Sequence, residues 1–222
     1  NNQWLWVGGV SSIDPNGLDG GLGNSSSGFI PSGRSFATAW TGADGRFYLF
    51  GGTGKGATGT AKGNLNDLWS FDPYSYAWSW LTGKNSVGGV AVSGTMGIPS
   101  TANTPGARSG GSAIADGTSN TLLFGGQGSG ATNDLWRYNE VTREWTWIKG
   151  QLTPNGAGVY GSLNVEAPGN TPGARRGGIV VTDGTSNTIL FGGANGANVF
   201  SDVWELNTTD APYVITEVPT AI

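Results

Sequence analysis

The sequence predicts an all-β fold built from repeated four-stranded antiparallel units. Three observations carry that prediction: one set of motifs recurs three times at fixed spacing, short stretches alternate polar and apolar residues with a period of two, and turn dipeptides separate them. The composition agrees, with 41 glycines and 10 tryptophans in 222 residues. Glycine does not recur at every third position, which excludes collagen, and the wealth of tryptophan and phenylalanine excludes a disordered tail. No capped amphipathic stretch of helical length is present.

The repeat is read most directly from its anchors. Phe-Gly-Gly stands at Phe50-Gly51-Gly52, Phe124-Gly125-Gly126 and Phe191-Gly192-Gly193, and 16 residues before each phenylalanine is an arginine, Arg34, Arg108 or Arg175. An acidic-apolar-Trp triplet follows each pair: Asp67-Leu68-Trp69, Asp134-Leu135-Trp136 and Asp202-Val203-Trp204. Then come Trp78-Ser79-Trp80 and Trp145-Thr146-Trp147, with Tyr213-Val214-Ile215 as a divergent third version. An additional Trp4-Leu5-Trp6 opens the chain, and Trp6 to Arg34, Trp80 to Arg108 and Trp147 to Arg175 each span 28 positions.

Each unit divides into four strands in order. In the first unit they are expected over Ser35 to Trp40, Arg46 to Phe50, Leu68 to Phe71 and Ala77 to Leu81. Asp44-Gly45, Asp116-Gly117 and Asp183-Gly184 turn the first strand into the second. Asp72-Pro73-Tyr74-Ser75 and its counterparts turn the third into the fourth. The expected organisation is a single domain over 1–222, with an extra outer strand at 1–6 and blades at 31–81, 105–148 and 172–215. Long loops over 7–30, 82–104 and 149–171 connect them. Four-stranded units carrying a glycine pair and a tryptophan are what propeller blades are made of.

The order of arginine, apolar strand ending in Gly-Gly, Asp-Leu-Trp and Trp-x-Trp resembles the kelch repeat, in particular the long-period, Trp-rich kelch arrays of secreted microbial proteins. The resemblance covers nearly the whole chain and implies a kelch-type β-propeller. Two features depart from it: the period exceeds the usual roughly 50 residues, and three units fall short of the four to eight blades of known propellers. The expectation is therefore a partial propeller, closed by oligomerisation or by further residues.

Repetition itself argues for structural roles. Gly51, Gly125 and Gly192 are expected to take φ > 0 or to pass close under a neighbouring aromatic. Trp69, Trp136 and Trp204 are expected to pack between blades. Arg34, Arg108 and Arg175 invite comparison with the arginine trio of sialidase-like propellers. However, Asp67, Asp134 and Asp202 repeat alongside them, so a bidentate Arg–Asp staple is the plainer reading.

Several chemistries are excluded outright. The chain has no histidine and no cysteine, so Ser–His triads, Cys–His pairs, disulfides and Cys/His zinc sites cannot form. The copper centre of kelch enzymes resembling galactose oxidase needs both residue types. Eleven basic and fifteen acidic residues give −4 with no basic block, which argues against nucleic acid. No apolar run approaches the roughly 20 residues of a membrane span. Gly51 to Gly56 lacks the first P-loop glycine, because position 49 is leucine. Asp14 to Gly20 carries oxygens at the wrong spacing for a calcium loop. No cofactor or metal is expected.

Strand parity places the short turns on one face of the blades and the long connections on the other, and binding usually resides on long loops held by a rigid scaffold. The candidate ligand-binding residues there are Asp14, Asp19, Lys55, Tyr160 and Glu166. Asn24 and Asn207 are glycosylation acceptors if the source is a secreted eukaryotic protein. Asn1-Asn2-Gln3 does not open a signal peptide. The expected function is a non-catalytic module, secreted or displayed at a cell surface, that binds protein or glycan through the long-loop face. The alternative is a structural subunit of an extracellular filament or coat that self-associates through edge strands, and a glycan-active hydrolase is the third reading.

Overall fold

The computed structural model describes residues 2–182 and 187–207, and these hold seventeen strands and no helix. The first unit contains β1 (Ser25–Ser26), β2 (Arg34–Ser35), β3 (Thr38–Thr41), β4 (Phe47–Phe50), β5 (Thr53–Gly54), β6 (Gly63–Asn64), β7 (Leu68–Asp72) and β8 (Ala77–Thr82). The second contains β9 (Ser112–Ala115), β10 (Asn120–Gln127), β11 (Ala131–Asn139) and β12 (Glu144–Lys149). The third contains β13 (Ile179–Thr182), β14 (Asn187–Phe191), β15 (Ala194–Asn195), β16 (Asn198–Val199) and β17 (Val203–Asn207).

Local chemistry sets the hairpins. Gly45 takes φ 76° and Asp44 accepts the Arg46 amide at 3.0 Å, which closes the β3–β4 turn. Asp72 accepts the Tyr74 amide at 2.9 Å before β8, and Asn139 does the same for Val141 at 3.0 Å before β12. Every pairing is antiparallel. The sheet orders are β1-β8-β7-β4-β3, β12-β11-β10-β9 and β13-β14-β17. β3 packs beside β9 and β9 beside β13, so the first strand of each sheet is innermost and the others lie progressively outward. This is the arrangement of successive propeller blades.

The core lies between sheets. Trp40, Tyr48, Phe50, Leu68 and Leu81 of the first sheet meet Leu123, Trp136, Tyr138 and Trp145 of the second. Phe50 and Trp145 approach to 5.4 Å between ring centroids, and Trp40 meets Tyr138 edge-on at 6.4 Å. Glu140 adds a polar bridge, accepting the Trp40 indole N–H at 3.3 Å and the Ala43 amide at 3.0 Å from the neighbouring blade.

Two expectations need correction. Residues 4–6 form no strand: Trp4, Leu5 and Trp6 are 102%, 75% and 71% exposed. The outer edge of the first sheet is taken instead by Ser25–Ser26, which pair with Ser79 and Trp78. The reason is directional, since a fourth-strand segment that precedes a loop belongs to the sheet before that loop. The second correction is partial: Gly51, Gly125 and Gly192 take the expected positive φ, at 65°, 66° and 66°, and their close neighbour is backbone and not an aromatic ring. A Cβ on Gly51 would lie 2.6 Å from the Arg108 carbonyl oxygen, and one on Gly125 would lie 2.5 Å from that of Arg175. The Asp183-Gly184 turn and the Tyr213-Val214-Ile215 segment lie outside the described residues.

Candidate functional site

Three copies of one buried constellation tie each blade together. In the first, Arg34 donates to both carboxylate oxygens of Asp67 at 2.7 Å and to the Gly51 carbonyl at 3.0 Å. Asp67 also accepts the Trp69 indole N–H at 2.7 Å. Arg108 repeats this on Asp134 at 2.7 Å and Gly125 at 3.0 Å, with Trp136 donating to Asp134 at 2.7 Å. Arg175 repeats it on Asp202 and Gly192, with Trp204 donating to Asp202 at 2.8 Å. Burial works to raise the Asp134 pKa, but the Arg108 charge and hydrogen bonds outweigh it and hold the carboxyl below its usual range. The Arg175 hydrogen bonds depress Asp202 strongly, against a smaller opposing effect of burial.

The constellation also couples neighbours. Gly52 donates to the Arg108 carbonyl and Gly126 to that of Arg175, both at 2.8 Å, so the first two glycine doublets hold the next blade's arginine segment. Two buried asparagines escaped the sequence reading. Asn66 and Asn133 accept the amides of Lys84 and Gln151 at 3.1 Å and donate to the Pro105 and Pro172 carbonyls. Their signal was available: asparagine precedes the acidic residue in the first two units, whereas Ser201 does so in the third.

The long loops share one conformation. Leu18 bridges Ile30, Val92 bridges Thr104 and Val159 bridges Thr171. Gly20, Gly94 and Gly161 have φ of 60°, 58° and 60° at the same place in each loop. The first two loops then return to the rim of the sheet that follows each of them. Gly23 donates to the Trp80 carbonyl at 2.7 Å and Gly97 to that of Trp147 at 2.8 Å. Ser100 exchanges backbone hydrogen bonds with Trp145 as the counterpart of Ser26 beside Trp78. Asn103 locks the second loop by donating to the carbonyls of Ile98 and Trp145, both at 3.0 Å.

The predicted binding residues fall into two groups. Asp14 pairs with Lys62 at 2.7 Å, and this contact lowers its pKa, assisted by Lys55. Asp19 accepts the Gly21 amide at 3.1 Å and the Asn85 side-chain amide at 3.0 Å, so it serves the loop. Tyr160 and Glu166 lie far along the chain and line a separate cleft of about 820 Å³ between the 159–171 loop and the second and third sheets. The Tyr160 hydroxyl donates to Asp202 at 2.7 Å, which raises its pKa, and its ring packs on Trp204 at 5.0 Å. Asn24 is exposed but donates to the Gly20 carbonyl at 2.7 Å, and the sequon of Asn207 runs beyond the described residues. Among the described residues, no group of three or more acidic side chains gathers as a metal site, and no helix is long and apolar enough to cross a membrane.

No protein family and no curated protein matches the sequence. Among solved structures, one titled "Structure of YjhT" aligns with a TM-score of 0.48 and 16% identity over 83% of this chain and 54% of that one. The chain thus spans about half the length of that neighbour.

Proposed function

We propose that this chain is a kelch-type propeller module that acts by binding, without catalysis, secreted or displayed at a cell surface. Its partner is a protein or glycan held on the long-loop face. One observation carries the reading. Leu18, Val92 and Val159 occupy the same position in three loops of one conformation and stand 58%, 45% and 51% exposed. Three aliphatic side chains at repeated places on a rigid scaffold form a contact surface that costs little ordering on binding. The carboxylates with shifted pKa are engaged by the scaffold, Asp134 and Asp202 by arginines, Asp14 by Lys62 and Asp72 by the backbone amides of its own turn, which favours structural over acid–base roles.

The test is an array of extracellular glycans together with a panel of cell-surface proteins, probed with the intact chain and with a Leu18→Ser, Val92→Ser, Val159→Ser variant. Binding that falls at least tenfold in the variant supports the reading. No binder in either panel, or binding indifferent to all three substitutions, rejects it.

A further inference from the structure

The turn between the repeated arginine and the first strand has one backbone conformation in all three units. Phe36, Gly110 and Gly177 stand two residues after Arg34, Arg108 and Arg175, with φ of 54°, 63° and 66°. Hydrogen bonds join the three turns in series. Gly110 donates to the Phe36 carbonyl and Gly177 to the Gly110 carbonyl, both at 2.8 Å. Just beyond, the Thr38 hydroxyl donates to the Gly111 carbonyl at 2.9 Å and that of Ser112 to Gly178 at 2.6 Å. The turns lead into β3, β9 and β13, the innermost strands, where the long connections enter, so they lie at the centre of the long-loop face.

Two residues depart from the repeat here. Glycine takes the left-handed φ without penalty, whereas Phe36 carries a β-carbon into it and is strained. Packing does not recover that cost, since Phe36 is 72% exposed. A Cβ on Gly110 would lie 3.6 Å from the Arg176 Cβ and 3.7 Å from the Gly177 amide, so this conformation aims a side chain at the following unit. The same conformation aims Phe36 at Ser109 and Gly110, and Gly110 has no side chain with which to cover it. Arg176 is the second departure, standing where the first two units have Ser35 and Ser109. It is exposed, and among the described residues its guanidinium has no acceptor. The aspartates of the three staples are held by Arg34, Arg108 and Arg175.

We propose that Phe36, the bare backbone of Gly110 and Arg176 form a cradle for a carboxylate carried beside an apolar side chain on a partner protein. Strain left uncompensated by packing points to a contact residue, and an aromatic ring on a rigid turn is a binding anchor that loses little freedom. A guanidinium without a partner takes a carboxylate through two parallel hydrogen bonds. Two hydrogen-bonded steps set the Phe36 and Gly177 backbones about 10 Å apart, a span that one acidic residue and its apolar neighbour fill. The exposed aliphatic Leu18, Val92 and Val159 on the same face favour a protein over a glycan, whose hydroxyls need polar partners. The proposal rests on the reading that the long-loop face binds, and it names the chemistry at the centre of that face.

Stability supplies the first test. Phe36→Gly restores the residue that the other two units use, so its urea midpoint is expected to equal or exceed that of the parent chain. A lower midpoint means that the ring is packed for the fold, and it overturns the proposal. Binding is read from backbone amide resonances of the nitrogen-15-labelled chain, titrated with acetyl-Leu-Glu-Leu-amide, its Leu-Gln-Leu counterpart and glucuronate. The glutamate peptide is expected to shift Ala37, Gly110 and Gly177 saturably and to bind at least tenfold more tightly than the glutamine peptide. Phe36→Gly and Arg176→Gln are each expected to weaken it at least fivefold. No saturable shift at these amides, equal binding of the two peptides, or tighter binding of glucuronate overturns the proposal. A binder from the protein or glycan panels that depends on Leu18, Val92 and Val159 but ignores Phe36→Gly and Arg176→Gln rejects this cradle and leaves the long-loop reading standing.

Discussion

The second and third sheets share the arginine, Phe-Gly-Gly and acidic-apolar-Trp motifs in the same order, yet among the described residues only the second is enclosed. Trp136, Tyr138 and Trp145 are fully buried, while Phe191 and Val203 of the third sheet remain about half or more exposed. The Arg108–Asp134 pair has both side chains nearly sealed at 4% and 2% exposure, whereas Asp202 is open to 16%. Gly125 lies against the backbone of the following unit, but Gly192 has only the Phe200 carbonyl near, at 3.3 Å from a Cβ. A repeated residue therefore has no fixed energetic worth; its worth is set by whether a neighbour stacks upon it, the nearest-neighbour logic of repeat architectures.

The strongest way to break this comparison is to remove an arginine. Arg108→Ala leaves Asp134 as an uncompensated buried carboxylate and should cost about 3–5 kcal/mol in urea unfolding. Arg175→Ala should cost measurably less, because the more open Asp202 can be solvated and keeps Tyr160 and Trp204 as donors. Equal losses would show that the third site is as enclosed as the second.

Glycine substitutions sharpen it further. Gly125→Ala and Gly192→Ala share the same left-handed φ of 66° and hence about 1–2 kcal/mol of strain. Only Gly125→Ala also drives a methyl into the Arg175 carbonyl, adding about 1–3 kcal/mol. The difference between their denaturant midpoints isolates the contribution of the stacked neighbour.

The smallest effect concerns acid. The folded pKa values of Asp134 and Asp202 both lie below the ordinary aspartate value of about 3.9. The stability they supply is present above that value and is lost as pH falls through the folded values. Denaturant midpoints should hold between pH 7 and about 5 and decline below about 4, and Asp202→Asn should shallow that decline.

Much of the fold was legible because it is written in side chains that repeat. The Asp-Gly turns, the alternation in Phe47-Tyr48-Leu49-Phe50 and the constant offset of arginine from Phe-Gly-Gly located the second, third and fourth strands of the first unit within one residue, and the first within three. The rim caps were hidden for a physical reason. Ser26 and Ser100 meet the fourth strands through backbone amides and carbonyls, which demand no particular letter. Trp4-Leu5-Trp6 shares the letters of the fourth strands, but letters alone do not show that it stands exposed while Ser25–Ser26 take the edge beside β8. The candidate binding residues fared unevenly, since charge alone does not reveal that Asp19 is occupied by Gly21 of its own loop and Asn85 of the next, or that Tyr160 is aimed at Asp202.

The return of the first two loops to the rim of the sheet that follows each fixes where this polypeptide can be cut and rejoined. A segment excised at the start of the second sheet's first strand would lose the cover of its outermost edge. One excised from residue 82 through 149 would carry its own guard, since Gly97 and Ser100 travel with Trp145 and Trp147. The unit suited to duplication, transplantation or lengthening of the array is therefore a crossover together with the sheet downstream of it, and chimaeras joined at those seams should keep their flanks protected from unwanted pairing.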